Sequence, residues 1–269
     1  MKRFNFSLLI SVLVFMITPL LAKEANVDTL AATPDLAREK RMADEIVDAI
    51  LDGEVVMLKD GDHEFMSIDT EPAGDSKGAV IILHGRGYHP DWAETINPLR
   101  VGLADAGWRT LSLQMPVLEK SAKYYDYVPL FPAAYSRIEA GIQYLREADE
   151  SMIVLLAHSC GAHMAMDWIA AKGDAEIDAY IGAGMGATDY KQPMLKPFPL
   201  EQMTVPVLDV YGDEEYPAVL RRAPERKAMI EKAGNPKSAQ MTVPAANHYF
   251  TDKGEVLVET VASWLDTLK

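Results

Sequence analysis

Ile153-Val154-Leu155-Leu156-Ala157-His158-Ser159-Cys160-Gly161-Ala162-His163-Met164-Ala165-Met166 is the stretch on which the fold turns. Residues 152–157 form an aliphatic, partly β-branched run with the length of a strand buried on both faces. Small residues follow at Ser159, Cys160, Gly161 and Ala162, and then Met164, Ala165, Trp168 and Ile169 recur at helical spacing. A strand that turns abruptly into a helix leaves the residue at the corner strained and exposed above the sheet edge. That is the geometry of a nucleophile elbow, G-x-S-x-G, written here A-H-S-C-G with Ala157 in the first place. A serine capping a helix N-terminus gives the same short pattern, so the rest of the chain has to decide between the two.

Outward from this stretch, strands and helices alternate. Apolar runs at 79–83, 110–115, 180–184, 205–211 and 240–243 have strand length. Helical patterns occupy 92–106, 133–145, the segment from the serine to Ala171, 218–233 and 255–268, with Pro98 either kinking the first or marking its true start. Such alternation specifies parallel strands joined by crossover helices, an α/β sheet covered on both faces. Ahead of it, Glu54–Lys59 and Glu64–Asp69 flank Asp60-Gly61-Asp62, a hairpin signal for a leading antiparallel pair at the sheet edge. Further upstream, Met42, Ile46, Val47, Ile50 and Leu51 share one face of an amphipathic helix over 38–51, stopped by Gly53. Its apolar face is expected to pack on the domain, the alternative being a partner surface.

The chain has 269 residues and carries 40 acidic against 26 basic side chains, a net charge of -14. This balance disfavours nucleic acid and anionic membrane surfaces as partners. Residues 1–22 have the layout of a secretory signal peptide: Lys2 and Arg3, an apolar run from Phe6 to Leu21, Pro19, and a cut expected after Ala22. The apolar run is short for a membrane span, so no stable insertion is expected after cleavage. Residues 23–53 read as a leader with its helix and 54–269 as one catalytic-sized domain, exported to the periplasm or beyond. Cys160 is the only cysteine, so no internal disulfide stabilises the domain and the core must do so.

In open α/β sheets ligands bind at the carboxyl ends of the strands. Those ends hold His84-Gly85-Arg86-Gly87, Pro116-Val117, Ser159-Cys160, Met185-Gly186, Gly212-Asp213-Glu214-Glu215 and Asn247-His248-Tyr249. A serine hydroxyl needs a base, and the base an orienting acid. For a serine at such a corner these follow in the order acid, then histidine. Of the six histidines only His163 and His248 follow Ser159, and His163 lies one turn into the same helix. His248 is therefore the candidate base. Glu215 is the preferred acid because it can curl back toward the histidine loop, with Asp213 the alternative. Backbone N–H groups of Arg86 or Gly87 and of Cys160 are candidates for an oxyanion hole, the glycines letting the backbone approach. Arg86 meets either an anionic part of a substrate or one of the many acids. Cys160 reads as a small buried residue, with a redox role the other possibility.

These residues, Ile81-Ile82-Leu83-His84-Gly85-Arg86-Gly87, Ala157-His158-Ser159-Cys160-Gly161, Pro206-Val207-Leu208 with Gly212-Asp213-Glu214-Glu215, and Asn247-His248, together resemble the α/β-hydrolase fold superfamily over about residues 54–269. The run His84-Gly85-Arg86-Gly87-Tyr88-His89-Pro90-Asp91-Trp92, with Gly107-Trp108-Arg109-Thr110-Leu111-Ser112, is similar to exported bacterial α/β-hydrolase-like proteins of undefined function. The resemblance implies a serine nucleophile, a histidine base, a backbone oxyanion hole and no cofactor, acting on a small ester or acyl substrate. Ala157 and Glu215 depart from the usual glycine and aspartate. Because the superfamily contains inactive members, a non-catalytic protein binding an envelope component stands as the rival.

Two segments are expected to shape the substrate pocket as a small lid: 124–132, with Tyr125, Tyr127 and Phe131 as substrate-binding candidates, and 188–201, rich in proline. An apolar acyl chain or aromatic group is the expected occupant. No histidine pair has the spacing of a helical metal site, and no metal is expected.

Overall fold

Alternate side chains of Ala79–Leu83 (β3) and Ile153–His158 (β5) enter two different cores, as the two-residue period of a strand covered on both faces requires. Ala79, Ile81 and Leu83, with Ile153, Leu155 and Ala157, join one core. Val80 and Ile82, with Val154 and Leu156, join the other. The computed structural model describes Met1 and residues 32–269, and in it these two strands are neighbours inside a single eight-stranded sheet. The remaining strands are Glu54–Asp60 (β1), His63–Thr70 (β2), Arg109–Leu113 (β4), Ala179–Ala183 (β6), Val207–Gly212 (β7) and Ala239–Val243 (β8).

Their order across the sheet is β1-β2-β4-β3-β5-β6-β7-β8. The expected hairpin is present, with Glu54 opposite Asp69 and Asp60 opposite His63, and β2 is also antiparallel to β4. Every pairing from β4 through β8 is parallel. Helices Ile96–Asp105 (α2) and Gly254–Asp266 (α7) cover one face through Ile96, Leu99, Leu103, Leu257, Val261 and Trp264. Helices Tyr135–Glu147 (α4), Cys160–Lys172 (α5) and Pro217–Ala233 (α6) cover the other. Pro98 lies in the first turn of α2, where a missing N–H breaks no helical bond. The β6–β7 connection is a loop with one 3-10 turn at Leu200–Gln202 and carries no cap domain. The 124–132 segment is not a plain loop: it folds as the short helix Tyr124–Tyr127 (α3) and a 3-10 run, Val128–Ala134.

The N-terminal helix corrects the sequence expectation in two ways. It spans Leu36–Ile46 (α1) and gives way to a 3-10 turn at Val47–Ala49, short of Leu51. Its C-terminal end carries Asp44, Glu45 and Asp48 and no basic residue, the wrong sign for the helix dipole. Its buried residue is not apolar but Glu39, while Val47 and Leu51 are exposed. An ion pair holds it instead of a greasy face. Arg137 of α4, fully buried, donates to Glu39 at 2.9 Å, to the Gln114 carbonyl at 2.9 Å and to Asp60 at 3.3 Å. Glu39 also accepts the N–H of Val117 at 3.2 Å. The expected signal peptide and most of the leader that follows it lie outside the described residues. No helix among the described residues is long and apolar enough to cross a membrane.

Removing one member of a buried pair leaves the other charge uncompensated. Arg137→Met is therefore expected to lower stability by about 3–5 kcal/mol, read from urea unfolding midpoints. A change within error would mean that α1 is held by something else.

Candidate active site

Ser159 stands at the corner between β5 and α5 with φ 56° and ψ -116°, a left-handed conformation that a serine does not choose on its own. Such strain costs of order 1–3 kcal/mol and persists only where the surroundings impose it. Here the Ser159 N–H is tied to the Ala183 carbonyl on β6 at 3.0 Å. On the other side Gly161 lies so close to β3 that a Cβ would sit 2.7 Å from the Leu83 carbonyl oxygen and 2.6 Å from that of His84. Ala157, the unusual first residue of the elbow, is buried with its methyl in the core and does not disturb the turn.

The structure brings Ser159, His248 and Glu215 together. His248 Nδ1 is 2.5 Å from Glu215 Oε1, and His248 Nε2 is 2.7 Å from Ser159 Oγ. A carboxylate only accepts, so Nδ1 carries the proton and the unprotonated Nε2 accepts the serine hydroxyl. Glu215 is almost fully buried and also accepts the N–H of Tyr216 at 2.7 Å. The alternative acid, Asp213, is exposed in the turn and makes no contact with His248. That corrects its place among the site residues: two positions closer to the strand end, its side chain leaves the turn toward solvent.

Two further histidines hold this arrangement without charge. His158, fully buried, donates from Nε2 to the His248 carbonyl at 2.9 Å, fixing the histidine loop from below. His84 accepts the Met115 N–H at Nε2 and so must donate from Nδ1 to the Gly85 carbonyl at 2.8 Å. Burial pushes the pKa of each down to about 3, so both stay neutral at any ordinary pH. In a trans peptide the carbonyl and the following N–H point in opposite directions. With its carbonyl held by His84, the Gly85–Arg86 peptide turns the Arg86 N–H the other way. A Cβ on Gly85 would lie 3.3 Å from the Ser159 Cβ, so this peptide runs beside the serine. The Cys160 N–H opens α5, where the first amides have no partner within the helix. The Cys160 thiol is pushed up to about 12 by burial, which argues against a redox or nucleophilic thiol.

Above the serine lies a cavity of about 750 Å³ lined by Ser159, Cys160, His248, Arg86 and Gly87, among others. Of the three expected substrate-binding aromatics, only Tyr127 lines it, joined by Tyr124. These two residues are three apart on α3 and face inward together. Tyr125 points outward and is exposed, and Phe131 is fully buried in the core, stacked against His163 at 5.8 Å. Arg86 forms a two-pronged pair with Asp189, at 2.7 and 3.3 Å, which ties the oxyanion-side loop to the β6–β7 loop. Sequence reasoning missed two walls of the cavity. One is α1, which presents Arg38, Met42, Glu45 and Ile46. The other is aromatic: Tyr88 stacks on Trp92 at 4.0 Å, and Tyr216 stacks on the His248 ring at 4.3 Å while hydrogen bonding Tyr249 through its hydroxyl. The half-buried Met42 and Ile46 are the partial signal that was present: apolar residues on one face of the N-terminal helix. Among the described residues no cluster of acidic, histidine or cysteine side chains could hold a metal ion.

Fold and corner define this as a protein of the α/β-hydrolase fold. The chain belongs to the family described as protein of unknown function (DUF3530), whose model matches residues 6–128 and 132–267. Among solved structures it is similar to an alpha-beta serine hydrolase homologue from Coxiella burnetii, with 19% identity and a TM-score of 0.59, covering 80% of this chain and 98% of that one. Est1E from Butyrivibrio proteoclasticus is similar at 16% identity and a TM-score of 0.62, over 80% of this chain and 98% of that one. A serine hydrolase without a lid from Xanthomonas campestris is similar at 14% identity and a TM-score of 0.59, over 81% and 95%. At such identities the likeness is one of fold. No curated protein matches the chain in sequence.

The meeting of Glu215 with His248 depends on a close backbone approach. A Cβ on Gly212 would lie 2.0 Å from the Ala246 carbonyl oxygen, the same oxygen that accepts the Glu214 N–H at 3.0 Å. Gly212→Ala must push the acid turn and the histidine loop apart. The expected outcome is a loss of about 1–3 kcal/mol of stability and a fall of at least about tenfold in the reactivity of Ser159. Thermal unfolding and the rate of labelling by a fluorophosphonate measure the two. Unchanged labelling would show that the two loops do not need this contact.

Proposed function

We propose that this protein is a serine hydrolase that cleaves a carboxylic ester or thioester. The observation that carries the reading is the unbroken chain of hydrogen bonds from Glu215 through His248 to Ser159 at a strained corner. The similar structures named as serine hydrolases support it at the level of fold.

In this reading Ser159 Oγ attacks the carbonyl carbon while its proton passes to His248 Nε2. The developing oxyanion lies between the N–H groups of Arg86 and Cys160, with that of Gly87 as the alternative on the loop side. His248 then returns the proton to the leaving oxygen or sulfur as the scissile bond breaks, giving an acyl-serine. Water, deprotonated by the same histidine, releases the acid and restores Ser159. Glu215 orients the imidazole and stabilises its protonated form; it stays ionised throughout. The neutral His158 is the positioning residue that holds the His248 backbone. Met42, Ile46, Trp92 and Tyr88 offer apolar surface for an acyl chain or aromatic group. Lys2, Arg3 and the apolar run to Leu21 support export to the periplasm or beyond, and sequencing the N-terminus of the mature protein tests that part.

A fluorophosphonate probe should label the wild type, and Ser159→Ala should abolish the label; equal labelling of the two would sink the assignment. Glu215→Gln is expected to lower kcat by about 10²–10⁴-fold on 4-nitrophenyl esters. Asp213→Ala should stay within about twofold, as surface substitutions usually do. If Asp213→Ala is the more damaging of the two, the acid has been misassigned.

A further inference from the structure

The cleft above Ser159 has the opposite charge to the rest of the protein. The chain carries 40 acidic and 26 basic side chains. Yet the cavity is lined by five cations, Arg38, Arg86, Lys120, Lys191 and Arg221, against three carboxylates. Only Arg86 of these five is paired with a carboxylate among the described residues, through Asp189. The other four give the cleft an excess of positive charge over Glu45 and Glu119, the two carboxylates that line it besides Asp189.

Arg38 makes the most hydrogen bonds of the four among the described residues. It comes from α1, is half-buried, and donates to the Gly87 carbonyl at 3.2 Å and to the carbonyl of Leu118. Both partners are neutral, so its charge is not cancelled. A guanidinium has five N–H donors, and these bonds leave others free. Gly87 belongs to the loop that flanks Ser159, and Lys120 lies two residues beyond Leu118, so Arg38 and Lys120 share one wall of the cleft. Arg221 stands on the first turns of α6, also lines the cleft, and among the described residues bonds only to the Pro217 carbonyl. Low-dielectric walls lined by one sign of charge concentrate the field in a cleft and draw in ligands of the other sign.

Resting on the hydrolase reading, we propose that the substrate is an anionic ester, one that carries a carboxylate or phosphate apart from the scissile carbonyl. The anion meets Arg38 and Lys120, with Arg221 and Lys191 at the mouth. The ester carbonyl then reaches Ser159, while the apolar part lies against Met42, Ile46 and the Tyr88–Trp92 stack. Arg86 is not the receptor, because Asp189 already occupies its fork.

The test compares matched esters with and without the anion. For a carboxylate the pair is 4-nitrophenyl hydrogen succinate and 4-nitrophenyl butyrate; for a phosphate, 1-butyryl-glycerol 3-phosphate and monobutyrin. At low salt at least one anionic ester should have a kcat/KM about tenfold above its neutral match, and 0.5 M NaCl should shrink that ratio. The pair that shows the effect identifies the anion. Lys120→Glu and Arg221→Glu, both at exposed positions, should each lower the ratio several-fold. Lys227→Glu makes the same change in net charge outside the cleft and should leave the ratio where it was. Equal rates within both pairs, or an equal effect of Lys227→Glu, would overturn the proposal. A binding measurement separates it from the hydrolase reading: calorimetry of Ser159→Ala with hexyl phosphate, hexanoate and hexanol. If the wild type cleaves nothing but either anion binds in preference to hexanol, the cleft assignment stands and the hydrolase assignment fails. No preference for either anion overturns the cleft assignment whatever the activity.

Discussion

The site depends on one imposed conformation, the left-handed backbone at Ser159. Neither the serine nor its neighbours favour it, so the strain must be met by contacts on both sides of the corner. The parallel pairing of β5 with β3 and β6 supplies them. From β6, the Ala183 carbonyl holds the serine N–H. Toward β3, Gly161 lets α5 start against the backbone itself, closer than any side chain would allow. The central strands are buried on both faces by Ile, Leu and Val, each worth about 1.5–3 kcal/mol when fully buried. That apolar burial is what makes a strained corner tolerable at their ends.

Around this corner the protein has built its polar floor from neutral groups. His84 and His158 are both buried and uncharged, and each donates its single proton to a backbone carbonyl. One fixes the peptide ahead of Arg86, the other the loop of His248. A charged lysine or arginine in either place would have put a cation beneath the serine and opposed the protonation of His248. Imidazole gives a directed hydrogen bond without that cost, and burial keeps it so.

The N-terminal helix changes the description of the domain. Its own apolar face does not hold it down; the buried Glu39–Arg137 pair does, together with the hydrogen bonds of Arg38 to the carbonyls of Gly87 and Leu118. Met42 and Ile46 are thereby left facing the cavity. A segment that precedes the sheet in the chain thus becomes a wall of the cleft, and it brings a cation to a place where an acidic protein would not be expected to have one.

The amino-acid sequence by itself determined the alternation of strands and helices, the leading hairpin, the corner at Ser159 and the order of Ser159, Glu215 and His248. These are local or ordinal properties: side-chain periodicity is set by backbone geometry, and chain order constrains which strand end can meet which. It preferred Glu215 as the acid but left Asp213 as the alternative, since both lie in one turn. Only the tertiary structure decided between them, through the approach of Gly212 to Ala246 that aims Glu215 inward. The same is true of Tyr125 and Phe131, set aside because a short helix turns Tyr124 and Tyr127 to the cavity instead. It is true again of α1, whose place is fixed by a partner 98 residues further on. Contacts between distant segments leave no periodic trace in the chain, and so the outline of the site was legible while its walls and its charge were not.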